Sequence, residues 1–185
     1  MLKKISICSN ALLLLGHKPI NSFDEPGAGP LLSKNLWEPT VDNMLSINTW
    51  TFARHYNDLN RLPEENPTPM YKYIYQLPSD YIRIDTTEPV SDYEIFGDKL
   101  YSNSNKLGLY YYRRVPEELF PPYFVRLMEY EMASVLATPL TVDATKAQLY
   151  KSFATTQLQT AMSTDAQGQP PKSFADTPTT STRFY

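Results

Sequence analysis

Neighbouring carboxylates are the first residues in this chain that could do acid–base chemistry. Glu64–Glu65 and Glu117–Glu118 are adjacent, and Glu129 and Glu131 are two residues apart on a predicted helix. A general acid and a general base must converge on one substrate atom, whereas residues one or two apart point in different directions. The adjacent pairs are therefore interpreted as solvated charges in a loop or at a helix start, and no pair is predicted to be catalytic.

Sulfur and imidazole side chains are too few for a metal site. The chain has one cysteine, Cys8, and two histidines, His17 and His55. One cysteine forms no intrachain disulfide, and two histidines do not complete a conventional zinc site. Cys8 lies on an apolar helical face, which predicts an inert core thiol, and His55 is interpreted as a capping or packing residue at a helix end. We expect no metal and no cofactor.

Sequence motifs of the common enzyme classes are also missing. There is no serine-centred elbow, no Walker loop and no glycine-rich dinucleotide turn. The sequence therefore predicts a protein that is not an enzyme and has no catalytic residues. A small hydrolase is a further interpretation, but it lacks a visible catalytic set.

Tyrosines form the densest group of side chains with another possible role. Nine of the fourteen tyrosines lie between Tyr71 and Arg114. Aromatic side chains on a sheet can stack nucleic-acid bases, but they also fill small sheets and protein interfaces. Basic and acidic residues balance in this stretch, so sheet packing or subunit contact is favoured over base stacking. The candidates for sheet contact are Tyr73, Tyr75, Tyr110 and Tyr112.

The C-terminal segment, residues 166–185, is rich in proline, serine and threonine. It has too few apolar residues to offset its ordering entropy, so we expect it to be disordered when alone. Aromatic residues and arginine are typical anchors of protein interfaces. Two interpretations stay open: an unstructured end, or a docking arm whose partner-binding residues are Phe174, Arg183, Phe184 and Tyr185.

Four helices are predicted to flank the tyrosine-rich stretch. Apolar residues at steps of three and four predict helices over residues 2–15, 31–53, 121–137 and 142–165. We expect Gly16 to cap the first helix, Pro139 to end the third and Thr141 to cap the fourth. Pro39 predicts either a kink in the second helix or a start near Glu38.

The tyrosine-rich stretch changes to a period of two. This periodicity predicts four or five short antiparallel strands, with a hairpin at Gly97–Asp98. The predicted fold is α+β and mainly α: a four-helix bundle with an inserted small antiparallel β-sheet and an extended C-terminal arm. Residues 1–60 and 116–165 form the bundle, residues 61–115 the insert and residues 166–185 the arm.

Composition limits the classes of partner. Lysine and arginine number 17 against 20 acidic residues, a net charge of −3, whereas a protein that grips DNA shows a concentrated basic surface. The apolar run Ala11–Leu15 is far too short to span a membrane, and the N-terminal segment is interpreted as a helix rather than a signal peptide. These features predict a protein of a reducing cytosol without a membrane partner.

Several strings, in their order and spacing, resemble the tail tubular protein A family of short-tailed phages, the head-to-tail adaptors. At the position where family members carry an acidic residue after a glycine, this chain has His17. The resemblance covers most of residues 1–165. The strings that carry it are Asn10–Phe23, Asn48–Ala53, Tyr75–Tyr81, Phe120–Phe124 and Leu136–Thr141.

The resemblance implies a structural virion protein of the head–tail junction, made in the host cytoplasm. Members of this family form a ring, usually of twelve subunits, between the portal and the tail nozzle or tube, and DNA passes through its channel. A slightly acidic chain suits a channel that must not hold DNA. The C-terminal arm would embrace the portal. The alternative, from another class, is a nucleic-acid-binding accessory protein that uses the tyrosine-rich sheet for single strands.

Overall fold

The computed structural model describes residues 2–63, 70–141 and 143–168. These residues form four α-helices, two 3₁₀ turns at Thr51–Ala53 and Glu117–Leu119, and six strands. The helices are α1 (Leu2–Leu14), α2 (Ala28–Ser46), α3 (Pro122–Thr141) and α4 (Ala144–Gln167). The strands are β1 (Arg54–Asp58), β2 (Tyr73–Gln76), β3 (Tyr81–Glu88), β4 (Tyr93–Phe96), β5 (Lys99–Ser102) and β6 (Gly108–Arg113).

The strands form two antiparallel sheets, so the predicted four-helix bundle with one inserted sheet is wrong, although the α+β class stands. The inner sheet has the order β1-β6-β3, and the outer sheet has the order β2-β5-β4. β1 precedes the predicted insert at residues 61–115, and the consecutive strands β2 and β3 lie in different sheets. The division into two sheets results from the pairing of β6 with β1 and β3, which are distant in the sequence. A period of two identifies a strand but not the strand with which it pairs.

The inner sheet lies between the helices and the outer sheet. Tyr112 and Val115 pack into the helical core, whereas Leu109 and Tyr111 pack with Tyr75 and other residues of the outer sheet. Burial on both faces explains why β6 is a continuous apolar run rather than a simple alternation. A single sheet with one solvated face would not require this pattern.

The helical layer is built around α3, which contacts each of the other three helices. Its core contains Cys8 and Trp37 from α1 and α2, and Trp50 packs edge-on against Phe124 with ring centroids 5.0 Å apart. Close packing of large aromatic side chains stabilises the junction between the helices and the start of the inner sheet. α4 contributes alanines to this packing, because Ala154 and Ala161 are its buried apolar residues.

Glycine conformations confirm two predicted turns. Gly16 has φ 82° and ends α1, where the His17 amide donates to the Leu12 carbonyl at 2.9 Å. Gly97 has φ 62° and lies between β4 and β5, which pair as the predicted hairpin. Both conformations lie in the left-handed region that favours glycine.

Three predicted helix boundaries are wrong. The second helix begins at Ala28, runs through Pro39 and ends at Ser46, so it does not extend to residue 53. Pro139 does not end α3, which continues to Thr141, because a proline in the last turn removes only one helical hydrogen bond. Asp143, not Thr141, caps α4: its carboxylate accepts from the backbone amides of Thr145 at 2.9 Å and Lys146 at 3.2 Å.

Among the described residues, no helix is long and apolar enough to cross a membrane.

Candidate interaction surfaces

Two of the four predicted contact tyrosines are core residues. Tyr75 is 1% exposed and its hydroxyl donates to the Ser104 carbonyl, while Tyr112 is 5% exposed and packs against the helices. Alternation along a strand identified their sheet faces but not the second layer that covers each face. Because both side chains are buried within the chain, they have no surface to offer a partner.

Tyr73 and Tyr110 are half-buried, and a cation already covers each ring. The Arg61 guanidinium lies 4.2 Å from the Tyr73 centroid, and that of Arg54 lies 4.9 Å from the Tyr110 centroid. The Tyr56 ring also packs against Tyr110, with centroids 4.8 Å apart. A stacked base would have to displace these contacts, so at Tyr73 and Tyr110 the sheets present guanidinium–tyrosine pairs rather than open aromatic platforms.

The predicted arm residues Phe174, Arg183, Phe184 and Tyr185 lie outside the described residues. The described chain ends at Gly168, directly after α4. The geometry of the end of α4 therefore determines where the arm begins.

A buried carboxylate holds the last turn of α4. Asp165 is 4% exposed and accepts hydrogen bonds from the Thr51 amide at 2.8 Å, the Thr51 hydroxyl at 2.7 Å and the Tyr123 hydroxyl at 2.6 Å. Burial, and then this carboxylate, raise the pKa of Tyr123. Three donors on one carboxylate tie α4 both to the 3₁₀ turn after α2 and to the start of α3.

Sequence reasoning missed the role of Asp165, although the sequence contains a signal. An acidic residue in the last turn of a helix is unfavourable beside the negative end of the helix dipole. Such a residue requires local donors to compensate, and Thr51 and Tyr123 supply them here. The threonine is 114 residues away in the sequence, so no local pattern identifies this pairing.

An arginine joins the inner sheet to the helices. Arg114 forms ion pairs with Glu38 at 2.9 Å, Asp42 at 3.2 Å and Glu117 at 2.8 Å. The Trp37 indole donates to the same Glu117 carboxylate at 3.0 Å. Burial alone would raise the pKa of Glu117, but the hydrogen bonds from Trp37 and Arg114 outweigh it and lower that pKa. Arg114 is thus a structural connector rather than a free basic group for DNA phosphates.

The other candidate acid–base residues have separate structural partners. Glu129 accepts from Asn10 at 2.7 Å and Arg126 at 2.9 Å, whereas Glu131 pairs with Lys151 at 2.7 Å. The two side chains point in different directions, as their spacing of two residues predicts. Both are buried, which the spacing does not predict. Glu64 and Glu65 lie outside the described residues.

Cys8 is buried, as predicted, and burial raises the pKa of its thiol to about 12.

His55 does not lie at a helix end. It is on β1, and its ring packs edge-on against Tyr111 at 5.7 Å. Within the described ranges, no group of three or more histidine, cysteine, aspartate or glutamate residues could hold a metal ion.

A groove of about 580 Å³ separates the end of α1, the loop before α2 and the end of α3. Glycines, prolines and aliphatic side chains form most of its lining, and its ionisable residues are His17, Lys18 and Glu25. No serine, threonine or cysteine nucleophile lines it. The groove therefore does not form a catalytic constellation of nucleophile and base.

Tyr111 predicts how stability responds to alkaline pH. Burial, and then the nearby Asp80 carboxylate, raise the pKa of Tyr111 from 10 to about 12. A raised pKa in the folded state means that the stabilisation is complete below pH 10 and is lost as the pH rises towards 12. We expect the free energy of unfolding in urea to fall across this window, by about 2 kcal/mol from this residue.

The control is Tyr111→Phe, which removes the ionisable hydroxyl while retaining the ring. Its urea unfolding free energy should fall less between pH 10 and 12 than that of the parent. Equal losses in the two proteins would contradict the role assigned to Tyr111.

Some apolar side chains of the described residues are exposed. Apolar side chains are exposed at the β4 end of the outer sheet, where Ile95 and Phe96 lie, and along α4. Comparison of the chain with protein-family models finds no match, and comparison with curated proteins finds none either.

Proposed function

We propose that this chain is a subunit of a phage head-to-tail adaptor, a structural virion protein. In this proposal, copies form a ring, of twelve subunits in the resembling family, between the portal and the tail nozzle or tube. DNA passes through the channel without specific binding. The order and spacing of the strings that resemble the tail tubular protein A family support this function.

The observation that carries the proposal is the anchored end of α4. The buried Asp165 carboxylate holds the last turn of α4 through Thr51 and Tyr123. The C-terminal segment with its aromatic tip follows that turn directly. A fixed body that carries an arm of aromatic and arginine anchors suits a protein whose task is to join two other assemblies.

Electrostatics are consistent with a passage for DNA. The net charge is −3, and Arg114 and Arg54 are held in ion pairs with carboxylates rather than left free for phosphates. Weak phosphate binding lets DNA move, because a strong basic lining would retard it. The alternative of single-strand binding has less support, since Arg54 and Arg61 already cover Tyr110 and Tyr73.

Electron microscopy of the chain mixed with purified portal rings tests the proposal. We expect an added ring of density at one end of the portal, and light scattering of the chain alone should show monomers or weak association. Coupled ordering of the arm on its partner is the physical reason for assembly on the portal. Portal rings without added density would contradict the proposal, whereas a stable dodecamer in dilute solution would contradict only the expectation that the ring assembles on the portal.

A further inference from the structure

The outward face of α4 is almost free of charge. Three charged residues occur in Ala144–Gln167: Asp165 is buried, Lys151 is paired with Glu131 at 2.7 Å, and Lys146 lies in the first turn. Exposed helix faces of globular proteins usually carry charged residues. Depletion of charge is instead a property of the centres of protein interfaces.

Large apolar side chains stand out from this face. Leu149 is 47% exposed and Phe153 is 43% exposed. The Phe153 ring packs between Tyr130 and Tyr150, with centroid distances of 5.7 and 6.0 Å, so it is held in place. Ordered, exposed aromatic and aliphatic side chains are the kind that anchor a protein contact.

Hydroxyl groups on the same face are already satisfied within α4. The hydroxyls of Thr156, Thr160 and Thr164 each donate to the carbonyl four residues earlier, at 2.8 to 3.2 Å. A hydroxyl that keeps its hydrogen bond costs little to bury. Ser152, Thr156, Thr160 and Thr164 repeat every four residues, so they form a low ridge suited to close helix packing.

The outward face of α1 is also free of charge. Ser6, Asn10 and Leu13 are its exposed residues after the first turn. The two lysines of α1 are bound at its beginning, where the Lys3 ammonium donates to the Phe120 carbonyl and the Lys4 ammonium pairs with Glu38, each at 2.6 Å. The remainder of α1 therefore presents small polar groups and one exposed leucine.

Charge distinguishes α1 from α2 as a counterpart for α4. The exposed residues of α2 include Lys34, Glu38 and Asp42. These groups form ion pairs within the chain, and an uncharged face laid over them would remove them from water without offering a new partner, which is costly. The faces of α1 and α4 carry no such cost, and among the described residues both are exposed.

We propose that the outward face of α4 docks on the outward face of α1 of a second copy of this chain. The contact uses two different faces, so it repeats from copy to copy and can close into a ring. This inference rests on the proposed function for its biological setting, and it names the faces that would join neighbouring subunits.

The contact is small, which predicts weak association of free chains. α1 has 13 residues and is about 20 Å long, so it offers fewer than four turns to a partner helix, a small part of a standard interface. Stable interfaces bury roughly 1,200–2,000 Å². The α1–α4 contact alone should therefore be transient, and covalent trapping is the suitable way to detect it.

Variants with one added, exposed cysteine test the pairing, because the native Cys8 is buried and does not react with the cross-linker. Leu13→Cys is placed on α1, Thr156→Cys on α4 and, as a matched control, Asn35→Cys on the exposed face of α2. Pairs of full-length variants are mixed at about millimolar concentration with a short bismaleimide. We expect at least about tenfold more covalent dimer from Leu13→Cys with Thr156→Cys than from Asn35→Cys with Thr156→Cys.

Three outcomes decide the result. The double variant Leu13→Cys/Thr156→Cys should give a ladder of cross-linked species, because each copy then carries both faces. Dimer yields equal to the Asn35→Cys control would overturn the proposal. A yield from Thr156→Cys alone that equals the yield of the Leu13→Cys and Thr156→Cys mixture would also overturn it, since that dimer requires two α4 faces to meet. No portal is present, so this result is independent of portal docking and distinguishes failure of the pairing from failure of the adaptor function.

Discussion

A chain that ends at Gly168 is expected to fold normally and to lose portal docking. Ending at this residue keeps all of α4 and its Asp165 anchor, so the described body retains its contacts. The removed segment contains the four proposed anchors, Phe174, Arg183, Phe184 and Tyr185. Because single aromatic anchors are each worth about 2 kcal/mol or more, loss of the arm should weaken docking at least about 100-fold. Pull-down and surface binding with purified portal measure this.

A substitution series separates the aromatic anchors from the length of the arm. In the full chain, Phe174→Ala, Phe184→Ala and Tyr185→Ala together should weaken docking nearly as much as the deletion. Replacing Thr177, Thr179 and Thr180 by alanine removes polar groups from the same segment and should have little effect. If the chain ending at Gly168 binds portal at full strength, the arm has no docking role.

Asp165→Asn should cause a large loss of stability, although it changes only one atom of the side chain. The carboxylate accepts three hydrogen bonds, two from Thr51 and one from Tyr123, in a buried position. An amide has one accepting oxygen, and its NH₂ group would face a donor. We expect a loss of about 2–4 kcal/mol in the free energy of unfolding, measured by urea denaturation.

Asp143→Asn is the matched control at the other end of α4. Asp143 caps the helix through the amides of Thr145 and Lys146, and asparagine is an equally good N-cap residue. Its unfolding free energy should therefore change by less than about 0.5 kcal/mol. Similar losses at both positions would show that the three hydrogen bonds at Asp165 do not have the stabilising role assigned here.

Amide exchange gives a local measurement of the same anchor. In Asp165→Asn, amides in the last turns of α4 should lose more protection from hydrogen exchange than amides in its first turns. The contacts that the substitution removes lie only at the C-terminal end of the helix. Portal docking should also weaken with the arm intact, since the arm then begins from a less ordered helix end. Uniform loss of protection along α4 would argue against a local anchor.

Local sequence signals were sufficient for much of the secondary structure. Apolar spacing located the four helices, and the glycines at positions 16 and 97 were correctly assigned to turns. Pro139 and Thr141 were misleading because proline is tolerated in a last turn, and Asp143 two residues later is a better cap. Each of these signals depends on residues only a few positions apart, so it can be read from the sequence.

The sequence by itself determined the α+β class, the burial of Cys8 and a terminal segment of different composition, because each depends on nearby residues or on residue counts. Tertiary structure decided that six strands form two sheets, that Tyr75 and Tyr112 are core residues, and that Asp165 meets Thr51 and Tyr123. Those outcomes depend on contacts between residues far apart in the chain. Their energy comes from burial and from satisfying polar groups in three dimensions, which a linear pattern does not encode.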